Sequence, residues 1–235
     1  MINLPQFKDK KLLEQAFIHR SYLNETKENL FSNERMEFLG DSIISFVVSK
    51  YLYQKYPQFD EGILTNIRSL LVNTKSLAAI AREIDLGSLL KLSKGEEESK
   101  GRQNQSLLAD CFEAFIGALF IDQGIEAVSD FLNLILLPKT DEIVKNKSFK
   151  DPKSLLQELA QSKRQGSPAY KVLVESGPAH SRRFKIGAYI DNKLVSEGLG
   201  KSKREAEEDA AQKALDFYKT YNVSGNLTVV ENKLD

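Results

Sequence analysis

Asn33-Glu34-Arg35-Met36-Glu37-Phe38-Leu39-Gly40-Asp41-Ser42 opens a long apolar run, residues 43–52, whose length and spacing predict a buried helix. Ser32 or Asn33 supplies the expected N-cap, and Glu34 suits the positive first turn. Glu37 and Asp41, four residues apart, share a face that continues through Ile44 and Val48. Two carboxylates so placed repel each other, and their apolar neighbours deny them full solvation, so something cationic is expected against them. Gly40 between them costs about 1 kcal/mol relative to Ala inside a helix, which points to a close approach by another backbone or a ligand.

A second helical stretch, Ser106-Leu107-Leu108-Ala109-Asp110-Cys111-Phe112-Glu113-Ala114-Phe115-Ile116-Gly117-Ala118-Leu119-Phe120, is apolar except for Ser106, Asp110 and Glu113. Those two acids are three apart and therefore neighbours on one face, with Ser106 and Gly117 extending the line. Four carboxylates on two buried-looking helices, each with a glycine on or beside the acidic line, are the arrangement a hard divalent cation needs. Mg²⁺ takes carboxylate oxygens, keeps several waters and is completed by substrate phosphate oxygens. The plainer alternative is a structural salt-bridge network between helices, but few basic residues are placed for it, Arg35 being the nearest in sequence.

The run 34–42 resembles the signature motif of the ribonuclease III family, and Leu108-Ala109-Asp110-Cys111-Phe112-Glu113-Ala114 is similar to that family's second acidic motif. Between them Glu61-Gly62-Ile63-Leu64-Thr65 with Arg68, then Asp85-Leu86-Gly87, then Leu92-Ser93-Lys94-Gly95-Glu96-Glu97 resemble its intermediate segments, in the expected order. Ala16-Phe17-Ile18-His19-Arg20-Ser21-Tyr22 resembles its first block; Ile18 and Met36 stand where Thr and Leu are commoner. The resemblance implies an endoribonuclease that cleaves double-stranded RNA by Mg²⁺-dependent hydrolysis, with Mn²⁺ as a substitute and no organic cofactor. It implies Glu37, Asp41, Asp110 and Glu113 as metal ligands, with Asp41 and Glu113 nearest to essential. For Glu34 and Glu61 it offers a role behind the ligands or with substrate bound, beside the simpler reading as first-turn acids. It further implies a homodimer, because cutting both strands takes two centres, with Phe38 inserting into the partner subunit; core packing is that residue's alternative. Expected products carry 5′-phosphate and 3′-hydroxyl ends with a short 3′ overhang, and the expected substrates are ribosomal RNA precursors and other structured transcripts. The rival reading is a non-cleaving RNA-binding or RNA-processing scaffold on the same fold.

Composition sets wider bounds. Charged residues make up 28% and hydrophobic ones 41% of 235, ordinary for a globular chain. The 33 basic and 33 acidic residues cancel overall. By segment, residues 1–150 carry 19 basic and 21 acidic side chains, and residues 151–220 carry 13 and 10, which places the polyanion-binding part towards the C-terminus. A single cysteine, Cys111, excludes an internal disulfide and fits a reducing compartment. Met1-Ile2-Asn3-Leu4-Pro5 lacks the regions of a signal peptide, and no apolar run approaches the roughly 18 residues of a membrane span. The expectation is a cytoplasmic protein with no membrane association.

Along the chain, residues 4–23 read as a short helical start, with His19 a packed or hydrogen-bonded structural histidine, and residues 24–29 as a loop. Helices are expected from Glu61 to about Val72 and from Thr74 to Ile84, then a mobile charged loop from Lys94 to Arg102 that lines RNA or is merely solvated. Asp122-Gln123-Gly124 reads as a turn before an apolar helix over 125–137, and the polar residues 141–151 as a bridge. Pro152 suits a first helical position, and Leu155, Leu156, Leu159 and Ala160 form one stripe. Strands are expected at 169–176, 184–190 and 193–198, before a helix over 202–218 whose Ala206, Ala210, Ala211 and Ala214 make a narrow face.

This second part resembles the double-stranded RNA-binding domain, through Gly177-Pro178-Ala179-His180 and Gly200-Lys201-Ser202-Lys203-Arg204. The resulting expectation is a multidomain chain: an all-α endonuclease domain over 1–146, a linker over 147–151, an α+β domain of α-β-β-β-α order over 152–220, and a frayed, disordered tail over 221–235. The resemblance marks Gln157, Gln161, His180, Lys201, Ser202, Lys203 and Arg204 as RNA contacts. Each alone is weak, since a Lys-rich helix start is usually just solvated and His180 has a simpler role capping its loop.

Overall fold

A computed structural model describes residues 4–147, 149–178 and 181–224, with side chains as far as residue 218. The chain divides into two compact units, Met1–Phe149 and Lys150–Asp235, each with its own core.

The first unit is helical. After α1 (Lys10–Ala16) and a 3-10 turn (Arg20–Asn24), its centre is the pairing of α2 (Glu34–Lys55) with α7 (Gln105–Ile135). The two backbones nearly touch. A Cβ on Gly40 would lie 1.8 Å from the Glu113 carbonyl oxygen, and one on Gly117 would lie 2.1 Å from that of Met36. The close approach expected at Gly40 is therefore made by another backbone, and glycine is required on both sides. Around this pair Phe112, Phe115, Ile44, Leu52, Ile67, Leu77 and Leu119 are fully buried.

Helices α3 (Glu61–Val72) and α4 (Thr74–Glu83) begin where the sequence predicts, because Asp60 and Asn73 accept the Ile63 and Ser76 N–H groups as N-caps. Short α5 (Leu86–Leu89) follows. Helix α7 bends at Gly124, whose φ of 83° is the left-handed conformation glycine adopts freely, so the expected turn is a kink within one long helix. No helix among the described residues is long and apolar enough to cross a membrane.

Two expectations need correction. The charged stretch 94–102 is not a loop but α6 (Lys94–Glu98) and a 3-10 turn (Gly101–Gln103). Ser93 caps it, while Arg102 binds Glu97 at 2.6 Å and the Gly87 and Ser88 carbonyls at 3.0 and 2.9 Å. The polar bridge likewise begins inside α8 (Lys139–Lys145). Its charges are anchored in the first unit, Asp141 by Lys55 at 2.5 Å and Tyr56 at 3.1 Å, and Lys139 by Glu83 at 2.9 Å.

The second unit runs α9 (Pro152–Ser162), β1 (Ala169–Ser176), β2 (Arg183–Ile190), β3 (Lys193–Gly200) and α10 (Lys203–Ser224). Its sheet is antiparallel in the order β1-β2-β3. Asp191 and Asn192, with φ of 50° and 62°, close the β2–β3 hairpin in the positive-φ geometry that matches strand twist. The alanine face of α10 lies directly on β3: a Cβ on Gly198 would meet the Ala206 oxygen at 2.2 Å. Leu156 and Ala160 of α9 complete this core with Ala188 and Ile190. Residues 221–224, expected in a frayed tail, continue α10, and the rest of that expectation, residues 225–235, lies outside the described residues.

Candidate metal centre and RNA-contact face

The α2–α7 pairing brings acids from both helices to one place. Oxygens of Glu37, Asp110 and Glu113 all lie within 4.8 Å of one another, and each residue is half-buried. Among the described residues none of these carboxylates is in an ion pair. Burial therefore raises the pKa values of all three, and repulsion from neighbouring carboxylates adds to it at Glu113 and Glu37. Glu113 is pushed up to about 8, first by burial and then by the charges of Asp41, Asp110 and Glu37. Burial raises Glu37, helped by Asp110, Glu34 and Asp41 and opposed by Arg20. Asp110 is raised by burial and eased by His19.

Asp41 departs from the expected four-carboxylate set. One turn beyond Glu37, it is exposed and outside the three-oxygen cluster, although its charge acts on Glu113. Glu34 and Glu61 are also outside the cluster. Glu34 is exposed, accepts from Ser32 Oγ at 2.8 Å and lies 3.5 Å from Arg20. Glu61 accepts from Thr65 Oγ1 at 3.2 Å in the first turn of α3. Asn33 stands at the N-cap of α2, but its side chain donates to the Ala16 carbonyl at 3.1 Å and makes no cap bond, so neither expected cap acts through its side chain.

Three converging carboxylates with raised pKa values and no ion-pair partner among the described residues fit a hard divalent ion: all donors are oxygen, and the repulsion among them is what a cation relieves. Cys111, though beside Asp110 in sequence, is no candidate ligand. It is fully buried, and burial pushes its thiol up to about 12.

In the second unit Gln157 and Gln161 are exposed on α9, as are Lys201, Ser202, Lys203 and Arg204 at the start of α10. Ser202 Oγ accepts the Glu205 N–H at 3.1 Å, while Glu205 accepts the Lys201 N–H at 2.8 Å, a reciprocal cap that fixes where the basic residues project. Lys203 Nζ stands 5.9 Å from the centre of the Phe184 ring, and Arg204 binds Glu208 at 2.8 Å. His180 lies outside the described residues.

Phe38 is 78% exposed, which removes core packing as its explanation. Phe46 and Tyr53, eight and fifteen residues on, project from the same side of α2 and are 58% and 75% exposed. Sequence reasoning missed those two, although their helical spacing from Phe38 was a usable signal. It also missed that Arg20 and His19 act on the acids.

Comparison with known proteins gives a consistent result. A family profile described as Ribonuclease-III-like matches residues 9–140, and one described as double-stranded RNA binding motif matches residues 152–218. Proteins named Ribonuclease 3 from Bacillus licheniformis and Bacillus cereus are 47% and 49% identical over 211 and 210 residues. Each alignment covers 89% of this chain, and 84% and 85% of the respective relative. The nuclease domain of ribonuclease III from Campylobacter jejuni, described as flexible in a region involved in dimer formation, superposes with a TM-score of 0.51 at 41% identity. That match covers 55% of this chain and 88% of the other.

Proposed function

The chain belongs to the ribonuclease III family and is a double-stranded-RNA-specific endoribonuclease, and from that premise we propose that it cuts by Mg²⁺-dependent phosphodiester hydrolysis at the α2–α7 acids. The observation that carries this reading is the cluster itself: three carboxylates within 4.8 Å of one another, none of them in an ion pair among the described residues. Glu37, Asp110 and Glu113 would hold the ion, with Asp41 joining from the next turn of α2. When bound, a divalent ion acts as a Lewis acid on phosphoryl oxygens and makes water a stronger nucleophile. In the ion's absence Glu113, its pKa pushed up to about 8, holds a proton near neutrality that it would have to lose to serve as a ligand. Glu34 and Glu61, both exposed, are left as residues that act only with substrate in place.

The duplex is held by the second unit. A-form RNA hides its base edges in a deep major groove, so a reader relies on shape, phosphates and 2′-hydroxyls. Gln157 and Gln161 offer neutral donors and acceptors for a minor groove, and His180 is assigned the next one. Lys201, Ser202, Lys203 and Arg204 meet phosphates at the N-terminus of α10, where side-chain charge and backbone N–H groups add.

The enzyme works as a homodimer, with Phe38 entering the partner and Phe46 and Tyr53 extending the apolar face that pairing would cover. Its products carry 5′-phosphate and 3′-hydroxyl ends, Mn²⁺ substitutes for Mg²⁺, and its substrates are ribosomal RNA precursors and other structured cytoplasmic transcripts. Incubating long duplex RNA with and without Mg²⁺ tests the reading: magnesium-dependent shortening to 5′-phosphorylated fragments is expected. Retained binding with no cleavage in either condition would overturn it.

A further inference from the structure

At the end of the α2–α7 pair where the acids lie, residues 16–19 are tied to both helices. Asn33 at the start of α2 donates through Nδ2 to the Ala16 carbonyl at 3.1 Å and through its N–H to the Ile18 carbonyl at 2.9 Å. The Phe17 ring stacks on Phe115 of α7 with centroids 6.2 Å apart. On the other side, Lys91 N–H donates to the Phe17 carbonyl and His19 N–H to the Lys91 carbonyl. His19 is therefore held at the junction of the two helices that carry the cluster, near enough to Asp110 for a charge placed on its ring to lower that carboxyl's pKa.

The hydrogen bonds of its ring decide which nitrogen carries the proton. Nδ1 lies 2.8 Å from Ser21 Oγ and 3.3 Å from the Ser21 N–H. Ser21 Oγ itself accepts the Ser93 N–H at 3.0 Å. If Nδ1 were protonated, the Ser21 N–H would lose its acceptor and the hydroxyl proton would have none among the described residues. With Nδ1 bare, all three donors are satisfied, and the neutral ring carries its proton on Nε2. Nε2 has no hydrogen-bond partner among the described residues, and the ring is only partly buried.

The geometry points to His19 as a substrate-contact residue whose Nε2–H donates to a phosphate oxygen of the RNA strand lying over the acidic cluster. The inference rests on the cluster being the cutting site. A polyanion must there approach a surface of like charge. A lysine at this position would pair with the acids and compete with the metal, whereas a neutral donor attracts phosphate and leaves the carboxylates free. Arg20, whose charge acts on Glu37, is turned to Glu34.

Asparagine and glutamine separate the two ring nitrogens, since Asn places an acceptor near Nδ1 and Gln a donor near Nε2. Single-turnover cleavage at saturating duplex is expected to slow about 10- to 100-fold in His19→Asn, the range for a hydrogen bond to a charged group, and to recover to within about 5-fold of wild type in His19→Gln. Placing a neutral methylphosphonate at successive positions around the cut should reveal one phosphate whose loss slows the wild type as much as His19→Asn does and slows that variant no further. The chain has two histidines, so ¹⁵N correlation spectra of the metal-free protein read the tautomer directly, with Nε2–H expected for His19 even if a variant folds poorly. Cutting by His19→Asn at the wild-type rate, losses that multiply at every phosphate, or a proton on Nδ1 would overturn the inference. A wild type that cuts no duplex would instead overturn the reading of the cluster.

Discussion

In the first unit three carboxylates lie within 4.8 Å of one another with no ion-pair partner among the described residues, whereas at the start of α10 the opposite holds: Glu208 pairs Arg204, and Glu205 caps the backbone of Lys201. The acids are half-buried and their pKa values are raised, while the basic residues are exposed. The difference separates two kinds of site. A cluster that stores repulsion needs an ion from outside and fails as a whole when one member is lost. A solvated, internally compensated basic face contributes phosphate by phosphate and fails in increments.

The most severe way to break this contrast is Glu113→Ala. Its cutting rate should fall by more than about 100-fold, beyond what loss of a residue merely supporting a ligand costs, while duplex affinity stays within about twofold. Single-turnover kinetics beside filter binding would check it, and joint loss of both would merge the two sites. Gly117→Ala attacks the cluster from beneath. Its Cβ would lie 2.1 Å from the Met36 carbonyl, backbone that cannot swing aside, so about 1–3 kcal/mol of stability should go, with cutting, by denaturant titration. Gly62→Ala is the control, its nearest atom being Asp60 Oδ1 at 3.5 Å.

Lys203→Ala probes the incremental side. Affinity should drop to the same degree for duplexes of any sequence, the log–log salt slope should shrink by about 0.9, and cleavage at saturating RNA should be unchanged. An unaltered slope would remove Lys203 from the contacts. The smallest effect concerns the metal-free protein. Glu113 binds its proton more tightly folded, near 8, than unfolded, near 4.5, so unfolding releases a proton between those values and stability falls as pH rises through them. Glu113→Gln, neutral throughout, should flatten that decline and raise Tm by roughly 3 °C at pH 8. A decline of unchanged steepness would mean the carboxylate is not held in its neutral form.

Much of this was legible because it is local. Helices α3 and α9 follow from capping residues and apolar stripes, and the strands from alternation bounded by turn residues. Gly40 was conspicuous because a glycine inside a good helix needs a reason, and the reason is the Glu113 backbone. What escaped depends on distant partners. The residues of α8 look like a linker until Lys55, Tyr56 and Glu83 are seen holding them. Asn33 reads as a cap until Ala16 claims its amide. Asp41 shares a face with Glu37 on paper, but one turn of α2 carries it into solvent. The exposure of Phe46 and Tyr53 within an apolar run is invisible to a pattern that asks only which residues are hydrophobic.

Anomalous diffraction from crystals of the full chain grown with Mn²⁺ tests the central claim most directly. The expected map has a manganese peak bounded by Glu37, Asp110 and Glu113 that disappears in Glu113→Ala. An empty cluster at saturating Mn²⁺, with cutting still dependent on the metal, would contradict it.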